Sequence, residues 1–175
     1  MKDDNREAFL NHGVRIEGGI YTAVELWCTD PAAAKAQYGP IASWDTSEIT
    51  HMAILFENNA NFNGDISRWD VSNVIDMGAM LRGATSFKGD LSQWDVSNVT
   101  SMGCMLDGAT SFNCDLSQWD VSKVASMSYM LDGATSFTHQ LGGAWSTSTA
   151  RKYRMFHDCP GSIAGKTNHA DGTPR

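Results

Sequence analysis

The phrase Trp69-Asp70-Val71-Ser72-Asn73-Val74 returns as Trp94-Asp95-Val96-Ser97-Asn98-Val99 and as Trp119-Asp120-Val121-Ser122-Lys123-Val124. A looser copy, Trp44-Asp45-Thr46-Ser47-Glu48-Ile49, precedes them, and neighbouring copies lie 25 residues apart. A fixed period of this size predicts a solenoid, in which each unit buries its apolar face only against the next. The 175 residues give room for one domain. The expected organisation is an N-terminal lead-in and helical cap over 1–40, then a repeat solenoid over 41–157, then a C-terminal tail over 158–175. The solenoid would hold about four full repeats and a degenerate last one.

Within one unit, Val99, Met102, Met105 and Leu106 are spaced like one face of a helix. Their equivalents are Ile49, Met52, Leu55, Phe56; Val74, Met77, Met80, Leu81; and Val124, Met127, Met130, Leu131. Ser97 stands where an N-cap would, as do Ser47, Ser72 and Ser122. Gly83, Gly108 and Gly133 stand where a helix would end with positive φ, and Asn58 takes that slot in the first unit. This reads as a helix of roughly ten residues per unit. The columns Phe62, Phe87, Phe112, Phe137 and Ile66, Leu91, Leu116, Leu141 follow in a stretch too short for a second helix. A short parallel strand is expected there, which makes the fold class an α/β solenoid of helix-plus-short-strand units.

Residues 1–17 read as a loose polar lead-in around Phe9 and Leu10. Ile20, Ala23, Val24 and Trp27 mark an amphipathic helix. Asp30-Pro31 starts another, with Asp30 as N-cap, and Gly39-Pro40 ends it. Trp145 falls one residue late, after Gly142-Gly143, in a degenerate repeat that includes Tyr153, Met155 and Phe156. Residues 165–175 read as a mobile tail or extended arm.

Asp and Glu number 20 against 13 Lys and Arg, for a net charge of −7. That balance, with no basic run, disfavours nucleic acid and anionic membrane surfaces. No apolar stretch is long enough to insert into a membrane, and no signal peptide is visible in Met1–Asn11. The compartment stays open on these grounds. Cys28, Cys104, Cys114 and Cys159 form no Cys-x-x-Cys pair and read as free thiols, with a Cys104–Cys114 bridge as the alternative.

The phrase Trp-Asp-Val-Ser-Asn-Val-x-x-Met-x-x-Met-Leu-x-Gly-Ala-Thr-Ser-Phe-x-x-Asp-Leu-Ser-x-Trp, over roughly residues 38–145, resembles the BspA-like leucine-rich repeats. More specifically it resembles the Mycoplasma-type repeat of unknown function, DUF285. Family members usually carry Met-Phe where this chain has Met-Leu; only Phe56 and Phe156 keep the aromatic. The resemblance implies a right-handed leucine-rich-repeat-like stack without catalytic residues. It implies protein binding or surface adhesion, in a family whose members are often surface-exposed or secreted.

Asp45, Asp70, Asp95, Asp120 and Asp65, Asp90, Asp115 form two acidic columns. They are expected to accept hydrogen bonds from turn N–H groups, with a Ca²⁺ ladder as the alternative. The Met columns read as core, and the Trp column as a buried stack, not a ligand platform. A hydroxyl ladder, Thr85, Thr110, Thr135 with Ser86, Ser111, Ser136, is read as turns and not as an ice-binding array. No catalytic, metal or cofactor residues are expected, because no Ser/His/Asp or Cys/His arrangement can be proposed from the spacing. The expected function is a non-catalytic protein-binding or structural module: a scaffold, or a subunit of a larger assembly, with a protein partner. Cell-surface adhesion is the alternative and an enzyme the less favoured one. The candidate partner-binding face is where units differ: Arg68, Gln93, Gln118 and Lys88, Asn113, Thr138, with Arg82, Asp107, Asp132 beside them.

Overall fold

The computed structural model describes residues 19–174. The lead-in expected over 1–17, with Phe9 and Leu10, lies outside them. Helix α1 (Ile20–Thr29) buries Ile20, Ala23 and Val24. Helix α2 (Pro31–Tyr38) follows directly, with Pro31 in its first turn and the Asp30 carboxylate accepting the Ala33 N–H at 3.0 Å. Gly39, at φ 75°, ends it. Both helices lie where the sequence predicts them. The Tyr21 hydroxyl donates to the Ala53 carbonyl at 2.9 Å and joins α1 to the first repeated unit.

The expected α/β solenoid of helix-plus-strand, leucine-rich-repeat-like units is not what forms. Among the described residues the α-helices are α1, α2 and the four-residue α3 (Ala144–Thr147), none of them in the segments where the repeat phrase predicts one. The sheet is a parallel pair of two-residue strands, β1 (Gln140–Leu141) and β2 (Ser162–Ile163), open at both edges. Most of the chain is turn and loop.

The hydrogen bonds show why no helix forms in the units. In an α-helix each N–H returns to a carbonyl four residues back. Here alternate N–H groups leave the unit: Met77, Ala79, Leu81 and Gly83 donate to the carbonyls of Ser101, Gly103, Met105 and Asp107 at 2.7–2.9 Å. The N–H groups between them close tight turns, Met80 to Met77, Arg82 to Ala79 and Ala84 to Leu81, at 3.1–3.2 Å. The next unit repeats the pattern from Met102 to Ala109. Isolated parallel bridges His51–Asp76, Asp76–Ser101, Ser101–Ser126 and Ser126–Arg151 mark the same register. A helix-like spacing of three and four residues is therefore met by consecutive turns instead. The Gly in Met77-Gly78-Ala79-Met80 and Met102-Gly103-Cys104-Met105 weakens a helix, and so short a helix is marginal without packing.

Those turns need left-handed backbone twice per unit. One position is the expected one: Asn58, Gly83, Gly108 and Gly133 have φ of 59–70°. The other carries a side chain each time, at Ile54, Ala79, Cys104, Tyr129 and Arg154, with φ of 52–60°. The serines read as N-caps do not cap helices. The Ser72 N–H and hydroxyl donate to Asp70 Oδ1 at 3.0 and 2.7 Å, an Asx-type turn.

The side chains expected inside are inside. Val74, Met77, Met80, Leu81, Val99, Met102, Met105 and Leu106 are fully buried. Phe62, Phe87, Phe112 and Phe137 stack face to face at 5.7–6.1 Å. Four of the buried Trp put their polar edge on a carbonyl of the preceding Ile/Leu column, and Trp44 puts its own on the Gly39 carbonyl. Trp69, Trp94, Trp119 and Trp145 donate Nε1–H to Ile41, Ile66, Leu91 and Leu116 at 2.9–3.1 Å. The ring supplies apolar area while its one donor stays satisfied.

At the C-terminal end α3 carries Trp145. The ladder is back in step at Arg151, whose carbonyl accepts the Met127 N–H at 2.7 Å. Residues 158–174, expected as a tail and from 165 as a mobile tail or extended arm, are bonded back to the units. Ala164 N–H donates to Leu141, Phe156 N–H to the carbonyl of the buried Gly172, and Arg154 N–H to the Thr173 hydroxyl. The last two bonds take up N–H groups that earlier units send to the next unit.

Candidate interaction face

In the stretch that runs from each Phe to the next Trp, apolar residues turn inward and the residues between them turn outward. Arg68, Gln93, Gln118, Lys88, Asn113 and Thr138 are all exposed, each beside a buried Phe or Trp. They are not equally available. Asn113 Oδ1 accepts the Thr138 N–H at 3.1 Å, as Asn63 Oδ1 accepts the Lys88 N–H at 2.9 Å, so these amides also join units. The Gln93 and Gln118 amides reach only the neighbouring Ser92 and Ser117 hydroxyls.

The acidic columns lie among these residues, and one oxygen of each carboxylate, Oδ1, is taken by a turn N–H. Asp65, Asp90 and Asp115 accept the N–H of Ser67, Ser92 and Ser117; Asp95 and Asp120 accept those of Ser97 and Ser122, all at 2.9–3.0 Å. Hydrogen bonds from these serines hold the carboxyls of Asp65, Asp90, Asp95, Asp115 and Asp120 below the usual carboxylate range. Among the described residues no three His, Cys, Asp or Glu side chains converge as a metal site would require.

The third variable column forms a charged ribbon that sequence comparison left as separate positions. Arg82 lies 3.1 Å from Glu57 and 3.6 Å from Asp107. Asp132 lies 3.3 Å from Arg154 and 2.9 Å from His157 Nδ1. Asp107 and Asp132 are neighbours of like sign. Burial, then the Asp132 charge, pushes the Asp107 carboxyl up. Arg154 also sits over the Tyr129 ring, 5.7 Å from its centre.

The cysteines do not form a reactive group. All four are free thiols. Cys114 accepts the Leu91 N–H and donates to Asp90, each at 3.3 Å, and burial pushes it up to about 11. Burial also pushes Cys159 up to about 11 and raises Cys28 and Cys104. Thiols kept protonated at neutral pH are poor nucleophiles.

The family model described as "Mycoplasma protein of unknown function, DUF285" matches residues 30–145. The chain belongs to the DUF285 family. The match opens on the N-cap of α2 and closes on Trp145 in α3, so it takes in every unit with a full Trp-to-Phe phrase. No curated protein and no solved structure matches the chain. Among the described residues of this DUF285 protein no helix is long and apolar enough to cross a membrane.

Proposed function

We propose that this DUF285 protein is a non-catalytic protein-binding module, a scaffold or a subunit of a larger assembly. The observation that carries the reading is a division of labour within each unit. Met, Phe, Trp and Leu positions are buried and nearly invariant, whereas Arg68, Gln93 and Gln118, with Lys88, Asn113 and Thr138, are exposed and vary. Variation confined to an outer surface changes what is recognised without changing what holds the chain together. The Gln93 and Gln118 amides keep donor and acceptor capacity for a partner.

The test places a photo-cross-linking residue at Gln93 or Gln118, with Thr85 as a control position. The chain is then used as bait against extracts and against purified extracellular matrix proteins. One stoichiometric protein captured through 93 and 118 but not 85 supports the assembly role. Capture of matrix proteins moves the reading to adhesion, the role that the resemblance of the repeat phrase to BspA-like repeats implies. Capture that is equal at all three positions, or absent, overturns the reading.

A further inference from the structure

The first unit departs from the others at one loop. Where later units read Gly83-Ala84-Thr85-Ser86-Phe87 and Gly108-Ala109-Thr110-Ser111-Phe112, it reads Asn58-Asn59-Ala60-Asn61-Phe62. Asn58 has a backbone reason, since its φ of 59° suits Asn next best after Gly. Asn59 and Asn61 have none. Asn59 replaces a column of fully buried alanines, Ala84, Ala109 and Ala134. Its amide donates only a long bond, 3.4 Å, to the Glu57 carbonyl. Asn61 is exposed and replaces a serine.

Both asparagines open onto a cavity of about 350 Å³ between this loop and the junction of α1 and α2. Trp27 forms part of the opposite wall. Its ring is held edge-to-face against Trp44, at 5.8 Å and 86°. Trp27 is half-buried, whereas Trp44, Trp69, Trp94, Trp119 and Trp145 are buried. In a chain with 33 formally charged side chains, none of the lining residues is a Lys, Arg, Asp or Glu. Burial keeps the one thiol there, Cys28, protonated.

We propose that this cavity is a binding site for a neutral saccharide. A sugar hydroxyl is at once donor and acceptor, and a carboxamide offers both complements. The apolar face of a sugar ring presents C–H groups with slight positive charge, which the negative face of an indole attracts. A pocket of this size, with a fixed aromatic wall and a few amides, selects by shape and hydroxyl position, because it holds no charge to select by. The site is separate from the Gln93–Gln118 surface, so either reading stands if the other falls.

The probes are maltose, cellobiose and N,N′-diacetylchitobiose, titrated into the full chain. The readout is the indole N–H resonance of Trp27 and the side-chain amides of Asn59 and Asn61. The expected result is a saturable shift of all three with at least one sugar. Asn59→Ala with Asn61→Ser restores the residue types of the other units. This variant should weaken that sugar at least tenfold while keeping the melting temperature. Trp27→Phe should weaken it less. No saturable shift with any of the three sugars, a shift confined to other residues, or an unchanged affinity in the double variant overturns the proposal.

Discussion

At the scale of single residues, the left-handed positions hold the clearest consequence. Ile54 has φ 58° and is 56 % exposed, so a β-branched side chain sits in strained backbone with little burial in return. The left-handed conformation costs an ordinary residue about 1–2 kcal/mol, part of which glycine's greater freedom in the unfolded chain gives back. Ile54→Gly should therefore raise stability by about 0.5–1 kcal/mol, read as a higher melting temperature; a drop would mean that Ile54 packs more than its exposure indicates. Asp107 is the second case. Because burial and Asp132 disfavour its ionised form, its stabilising contribution is full below the unfolded carboxyl value. That contribution is lost as pH rises through the raised folded value. Asp107→Asn removes that penalty along with the 3.6 Å pair to Arg82. The net effect at pH 7 should be a gain of about 0.5 kcal/mol that vanishes near pH 4, measured by urea unfolding at both pH values.

At the scale of elements, what matters is how turns replace helices. Each unit sends alternate N–H groups to its neighbour and closes turns with the rest, so its backbone is satisfied only when the neighbour is present. Far-UV circular dichroism should show weak helical ellipticity, set by α1, α2 and α3. A spectrum strong enough for a further helix in each unit would contradict the observed bonding. The acidic turns add a pH response at this scale. The carboxyls of Asp65, Asp90, Asp95, Asp115 and Asp120 titrate below their unfolded values. Their contribution is present above about pH 4 and is lost as pH falls through the folded values. Melting temperature should hold from neutral pH to about pH 5 and fall below pH 4. Because these groups are nearly fully exposed, the loss should be gradual.

At the scale of the whole molecule, the rows of Met, Phe and Trp form one continuous apolar cluster from Ile20 to Ile163. Met102 lies in the middle of it with no exposure, between units that contribute Met77 and Met127. Met102→Asp would bury a carboxylate with no partner, at a cost of several kcal/mol, a large part of the stability of a domain this size. The variant should fail to unfold cooperatively in a thermal melt. Wild-type melting would show that the cluster is not continuous in solution.

The sequence by itself determined which side chains are inside. A 25-residue repeat of Trp, Val, Met, Leu and Phe allows few other choices of core, and every one of those columns is buried. It also fixed α1 and α2, through an i, i+3, i+4 face and an Asp-Pro start, and the positive φ at Asn58, Gly83, Gly108 and Gly133. It did not determine the backbone that carries those side chains. Spacing of three and four residues fits a helix and a run of tight turns alike, and only the partners of the N–H groups separate them. Those partners lie 24 residues ahead, as Met77 to Ser101 shows. Separation along the chain also kept the Trp27–Asn61 cavity out of sight, because its two walls belong to segments that nothing in their spacing connects. Local pattern decides burial; contacts between distant segments decide conformation and which surfaces meet.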